Sequence, residues 1–199
     1  MSVKRWIAGI SLSGLLAIAG FEGYNQFAYT PIPGDKLTIG FGHTANVKPG
    51  DVVDIKTALA LLGNDVKEAE GAVKRCVKVD VSQNQFDALV SLTFNIGGAA
   101  FCNSTLLKCL NAGNMACVEK QWPRWCYSGG RKVKGLENRR LRELDIFRGE
   151  NAHVVDSETV CFGAGHCISL AELAMERTAG FVESTCPDKG CLQQPGDRP

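Results

Sequence analysis

The chain has 199 residues, which suits one domain or one domain with an appendage. Its hydrophobic share of 45% and charged share of 22% are those of a globular protein with a real core. The formal net charge of +1, with no basic run, supplies no global field and argues against a nucleic-acid binder.

Residues 1–21, MSVKRWIAGISLSGLLAIAGF, put Lys4 and Arg5 ahead of sixteen uncharged residues from Trp6 to Phe21. That run is shorter than the roughly 20 residues a membrane-spanning helix needs, and it is diluted by Gly9, Gly14, Gly20, Ser11 and Ser13. Three readings fit. One is a signal peptide cut at the Ala17-Ile18-Ala19 site. Another is a buried core helix. The third is a weakly apolar export segment that enters a membrane uncleaved and later leaves it. A cut after Ala19 would leave Glu22 three residues from a frayed terminus, where geometry is hard to hold.

The stretch EGYNQFAYTPIPGDKLTIGFGH, from Glu22 to His43, carries the chemistry. Glu22 ends a helix or starts the coil after it, because Gly23 relaxes the backbone and Pro31 and Pro33 exclude a helix beyond. Gly34-Asp35 is a turn signal that fits a small hairpin. Leu37, Ile39 and Phe41 alternate with Thr38, Gly40 and Gly42, which predicts a strand with one apolar face and Thr38 on the other, towards a cleft. Two acids and a small hydroxyl suit hydrolysis of an acetal such as a glycosidic bond. One group protonates the leaving oxygen, and the others place water or stabilise positive charge on the sugar.

Beyond a Pro49-Gly50-Asp51 turn, Asp54 is placed to cap a helix bearing Thr57, Ala58, Leu61 and Leu62. Residues 65–77, DVKEAEGAVKRCV, run from acids to bases, as a helix dipole favours. His43, His153 and His166 are far apart and form no i, i+4 pair, so a metal site is not expected, and His43 reads as structural. Ser82 caps an apolar stripe through Phe86, Leu89, Val90, Leu92 and Phe94, which Asn95-Ile96-Gly97-Gly98 breaks. Ser104 caps a second helix with Leu106, Leu107 and Leu110 inward, stopped at Asn111-Ala112-Gly113. Trp122, Trp125 and Tyr127 precede Gly129-Gly130 and the bases Arg131, Lys132 and Lys134. A helix from about Leu136 then carries Arg139, Arg140, Arg142, Glu143 and Asp145, most of them expected in solvent.

Three blocks resemble the phage lysozymes, glycoside hydrolase family 24: EG-x5-Y with TIGFGHT, FDALVSLTFNIGGAAFCNSTLLKCLNAGN at 86–114, and WCYSGGRKVKGLENRRLRE at 125–143. They stand in the family's order and cover most of residues 20–150. The resemblance implies an α+β, mainly α, lysozyme-like fold with a small β-hairpin lobe and a larger helical lobe, acting on peptidoglycan without a cofactor and as a monomer. It implies Glu22 as general acid, Thr38 as the threonine near the attacking water, and Arg139 as the arginine beside the catalytic glutamate. A cation there lowers the pKa of an acid that must stay protonated, so desolvation has to oppose it, or the arginine mainly holds Glu22 in position. The family's usual aspartate, two residues after the tyrosine and six before the threonine, has no counterpart, because Thr30 and Pro31 follow Tyr29 and the interval to Thr38 is one residue longer. Asp35 is the sole acid between Glu22 and Thr38, and the altered turn is inferred to re-aim it into the cleft.

Residues 1–21 resemble, in Gly, Ala and Ser content, the signal-anchor-release segments of some phage endolysins. That resemblance implies tethering to the inner membrane through residues 6–21, then release to the periplasm with the segment packed as a helix leading into Glu22. The boundaries expected are 1–21 for the anchor, 22–150 for the catalytic domain and 151–199 for an extension. The chain has nine cysteines and no CxxC metal spacing, which favours disulfides and an oxidising compartment. The intervals 161–167 and 186–191 suggest local staples of the appendage, and residues 168–183 read as one amphipathic helix. The activity implied is a muramidase. The rivals are a lytic transglycosylase, for which the missing aspartate speaks, and a non-catalytic peptidoglycan-binding protein.

Overall fold

The structure, a computed structural model, describes residues 9–150, 159–162 and 166–169. Lys4, Arg5, Trp6, His153, Cys186 and Cys191 lie outside these, as do residues 1–8 of the expected anchor and most of the expected extension. The described residues fall into two compact units, one of 9–18 with 66–150 and one of 19–65 with 159–162 and 166–169.

The first unit is helical. It contains α3 (Gln83–Ile96), α4 (Gly98–Cys102), α5 (Thr105–Asn111), α6 (Met115–Gln121) and α7 (Lys134–Arg148), with a short β3–β4 hairpin at Tyr127–Ser128 and Arg131–Lys132. Local chemistry places the helix ends. Ser82 and Gln85 form a reciprocal capping box at the start of α3, and the Ser104 hydroxyl accepts from Leu107 N at the start of α5. Gly97 ends α3, as the glycine pair predicts. Phe86, Ala88, Leu89, Val90 and Leu92 are buried along α3, and Leu106, Leu107 and Leu110 along α5. Two disulfides reinforce this unit: Cys76–Cys102 ties the end of α2 (Ile55–Cys76) to α4, and Cys109–Cys117 ties α5 to α6. Each constrains the unfolded chain by about 2–4 kcal/mol. Among the described residues Cys126 is free, and it is buried.

The helix expected from Asp54 and the charged segment 65–77 are one helix, α2, of 22 residues. Asp54 accepts from Thr57 N at 2.7 Å, as a cap should. Gly63-Asn64 does not interrupt the helix, because Ala58, Leu59, Leu62, Val66, Ala69 and Val73 form one unbroken buried stripe at helical spacing.

Helix α1 (Leu12–Glu22) starts in the first unit and ends in the second. Leu16, Ala17, Ile18 and Ala19 are buried. Ser11 caps the helix: its hydroxyl accepts from Gly14 N at 3.0 Å. Asp87 in turn accepts from Ser11 N at 3.0 Å, from the Ser11 hydroxyl and from Gln83 Nε2 at 2.8 Å. Burial pushes the Asp87 carboxyl above its ordinary pKa, and those hydrogen bonds oppose the rise. Gly14 faces this carboxylate. A Cβ there would lie 2.6 Å from Asp87 Cγ and 2.8 Å from Ile10 Cγ1. Gly14→Ala is therefore expected to destabilise the fold by about 1–3 kcal/mol in denaturant unfolding, despite alanine's better helix propensity. Unchanged stability would show that this contact relaxes freely. Among the described residues, no helix is long and apolar enough to cross a membrane.

The second unit holds the antiparallel pair β1 (Asn25–Tyr29) and β2 (Thr38–Gly40), with Asn25 opposite Gly40 and Tyr29 opposite Thr38. The turn predicted at Gly34-Asp35 is at the tip of the connecting loop. Asp35 N bonds Ile32 O at 2.9 Å, and Gly34 adopts φ +96°, the arrangement that Pro33 and Gly34 favour together. The strand is not the half-open one expected. Thr38, Ile39 and Gly40 are all buried, and at Gly40 the strand lies against α2, where an added Cβ would be 3.0 Å from Ala58 Cβ. Phe41 is past the strand. Ile39 and His43 exchange backbone hydrogen bonds at 2.9 Å, and Gly40 (φ +63°) and Gly42 (φ +95°) turn the chain between them.

A last hairpin belongs to this unit: β5 (Thr159–Cys161) pairs with β6 (Cys167–Ser169), and Cys161–Cys167 joins its strands. The staple predicted for 161–167 is present. The helix predicted over 168–183 does not begin there, since Ile168 and Ser169 extend β6 beside the disulfide, and 170–183 lie outside the described residues, like the 186–191 interval.

Candidate active site

Glu22 is the last residue of α1 and is exposed. Gly23, at φ +73°, takes the left-handed conformation that stops the helix, with its N–H on Ala19 O at 3.1 Å. Tyr24 follows, and its hydroxyl donates to Val53 O at 2.7 Å. Its ring lies 5.5 Å from that of Phe41 and 4.8 Å from that of His166, measured between centroids. Burial, then the Asp54 charge, pushes the Tyr24 phenol above its ordinary pKa, so it stays a neutral donor. The carboxylate therefore sits on a helix end whose next anchored residue is two positions on.

The other expected residues of this unit take different surroundings. Asp35 is exposed in the loop-tip turn. The register sends Glu22 beyond the Asn25–Gly40 end of the hairpin and Asp35 beyond the Tyr29–Thr38 end. Thr38 is buried, and its hydroxyl donates to Lys36 O at 3.0 Å. His43 is held on both ring nitrogens: its Nδ1 is 2.9 and 3.0 Å from the two Asp65 oxygens and its Nε2 is 3.0 Å from Ala45 O. It ties the end of the glycine turn to α2.

Arg139 belongs to the helical unit and is buried, as are two neighbours expected in solvent, Arg140 and Glu143. Arg139 Nε donates to Glu143 Oε1 at 3.0 Å and its guanidinium to Ser91 O at 3.3 Å. Arg140 donates to Glu143 Oε1 at 3.0 Å and to Asn95 Oδ1 at 3.1 Å. The Ser91 hydroxyl gives Glu143 a further bond at 2.8 Å, and Trp122 Nε1 another at 3.3 Å. Trp122 is fully buried, which assigns it to the core, while Tyr127 is exposed on its hairpin. The i, i+3 and i, i+4 spacing of these arginines from Glu143 was the available signal for this network. The reversal from solvent to core comes from Ser91 and Trp122, which lie far away in sequence and supply the bonds that make burial tolerable.

A mainly helical chain with small hairpins, an acid at the end of its first helix and a glycine-turned strand after it defines a protein of lysozyme-like fold. The chain belongs to the phage lysozyme family, whose pattern matches residues 19–143. It is 44% identical over 140 residues to an endolysin of Bacillus phage PZA, covering 69% of this chain and 54% of that one. The chain thus spans about half the length of that relative. It is 33% identical over 141 residues to a SAR-endolysin of Enterobacteria phage P21, covering 70% of this chain and 85% of that one. Among solved structures it is similar to the muramidase domain of SpmX from Asticaccaulis excentricus, with TM-score 0.65 and 36% identity, over 69% of this chain and 96% of that one.

Proposed function

We propose that this chain is an endolysin that cleaves peptidoglycan as a muramidase, hydrolysing the β-1,4 bond between N-acetylmuramic acid and N-acetylglucosamine. The observation that carries this reading is the exposed Glu22 at the end of α1, just inside the region matched by the family. Glu22 protonates the leaving oxygen. Asp35 orients water or stabilises charge on the sugar, Thr38 lies near the attacking water, and Arg139 and His43 support the site. The relative described as a muramidase domain supports the bond assignment. Product mass tests it. Hydrolysis adds one water to each cleaved bond, whereas a lytic transglycosylase leaves an anhydro sugar lighter by that water. The absence of a carboxylate at the family's usual place, with Asp35 out on the loop tip, favours the second reading enough to make it the outcome to look for. Anhydro products would overturn the hydrolase assignment, and binding without cleavage would overturn both.

The chain works as a monomer, held at the inner membrane through residues 6–21 and then released to the periplasm, in keeping with the relative named a SAR-endolysin. The glycines keep the segment weakly apolar, so that it can leave the bilayer. Gly20 provides a clean test: it is exposed, with nothing within 4 Å of an added Cβ, so Gly20→Leu raises apolarity without the clash that Gly14 meets. The variant is expected to remain in the membrane fraction while the parent becomes soluble. Equal release of the two would refute the anchor.

A further inference from the structure

The hairpin β5–β6 lies beyond residue 143, where the family match stops, and it packs against the residues that follow Glu22. His166 places its ring 4.8 Å from Tyr24 and its Nε2 3.4 Å from Gln26 Oε1. Phe162 meets Phe41 edge-on at 5.0 Å, and Phe41 in turn meets Tyr24. Phe162 and Ile168 are buried, so these are packed contacts. The hairpin is itself braced at its turn end by Cys161–Cys167 and by Phe162 N on His166 O at 2.8 Å. Tyr24 is thus gripped by the Val53 carbonyl, by Phe41 and by His166.

We propose that the disulfide-braced C-terminal hairpin is a positioning clamp for Glu22, with Phe162 and His166 as positioning residues that act through Tyr24. The inference rests on the reading of Glu22 as the acid. The physical need is plain. Only Gly23, in the left-handed conformation, separates Glu22 from Tyr24, so the path by which the chain leaves the helix is set by where the Tyr24 side chain is held. A misplacement of about 1 Å at a reacting group can cost on the order of 100-fold in rate. The aromatic contacts are short-ranged and geometrically specific, which suits a clamp better than a generic apolar cover.

The full chain, Phe162→Ala, His166→Ala, His166→Phe and the double variant Cys161→Ser/Cys167→Ser are compared at a temperature where circular dichroism shows all of them folded. On soluble glycan strands, the alanine and serine variants are expected to lose about 10- to 100-fold in kcat with KM within about twofold. His166→Phe, which keeps a ring against Tyr24, is expected to recover most of the loss. Unchanged kcat in Phe162→Ala and the double serine variant would overturn the clamp. A second readout is independent of activity: amide hydrogen exchange in the peptide spanning residues 21–27 should quicken at least tenfold in Phe162→Ala. Unchanged protection overturns the clamp whatever the enzyme's chemistry. Quickened exchange in Phe162→Ala, together with a parent chain that shows no lytic activity, would instead uphold the contact and refute the proposed function.

Discussion

Glu22→Gln is expected to slow clearing of a peptidoglycan suspension by about 10²- to 10⁴-fold, the usual contribution of a positioned general acid. Glutamine keeps the size of the side chain and removes the proton that the leaving oxygen needs. Glu22 is exposed at the end of α1, so the change should cost far less in unfolding free energy than in rate. A thermal melt run beside the turbidity assay separates the two effects. Asp35→Asn belongs in the same experiment, because Asp35 is exposed in its turn and its replacement should leave the fold intact. If both variants lose rate without losing stability, the acids work as a pair. If Glu22→Gln alone does, the single-acid route and its anhydro product become the better account. If Glu22→Gln clears as fast as the parent, the proposed site is wrong.

Glu143→Ala is expected to cost about 3–5 kcal/mol of stability, the range for breaking a buried ion pair by removing one partner. The carboxylate is fully buried and neutralises two guanidiniums, at 3.0 Å from Arg139 Nε and 2.9 Å from Arg140 Nε. Removing it leaves two charges without compensation and strips an acceptor from Ser91 and Trp122. For a chain of this size the midpoint of thermal unfolding should fall by on the order of 10 °C. Glu143→Gln keeps one acceptor oxygen and should be milder. A loss below about 1 kcal/mol for Glu143→Ala would mean that water reaches the arginines and that the network is no core element.

Signals confined to a few neighbouring residues could be read directly from the chain. Ser82, Ser104 and Asp54 cap the helices they were expected to cap, since a side-chain oxygen and an amide three residues on need no distant partner. The turn at Pro33-Gly34 and the end of α1 at Glu22-Gly23 follow from backbone preferences of proline and glycine. The spaced motifs of residues 20–150 led to the phage lysozyme family and hence to the fold. Two expected helical segments join into α2 because a buried stripe from Ala58 to Val73 keeps one helical period across Gly63-Asn64.

Tertiary structure decided what depends on partners far apart in sequence. Arg140 and Glu143 look like solvent-facing charges on a polar helix, and they become core residues because Ser91, Asn95 and Trp122 complete their hydrogen bonds. Thr38 was expected on an open strand face, and it is buried with its hydroxyl on Lys36 O. The pairings Cys76–Cys102 and Cys109–Cys117 were likewise beyond cysteine spacing, as was the seating of Phe162 and His166 beside Phe41 and Tyr24. Local sequence sets the backbone conformations a segment can adopt at low cost. Whether a charge, a hydroxyl or an aromatic ring is buried is set by the groups that folding brings to it, and those lie tens of residues away.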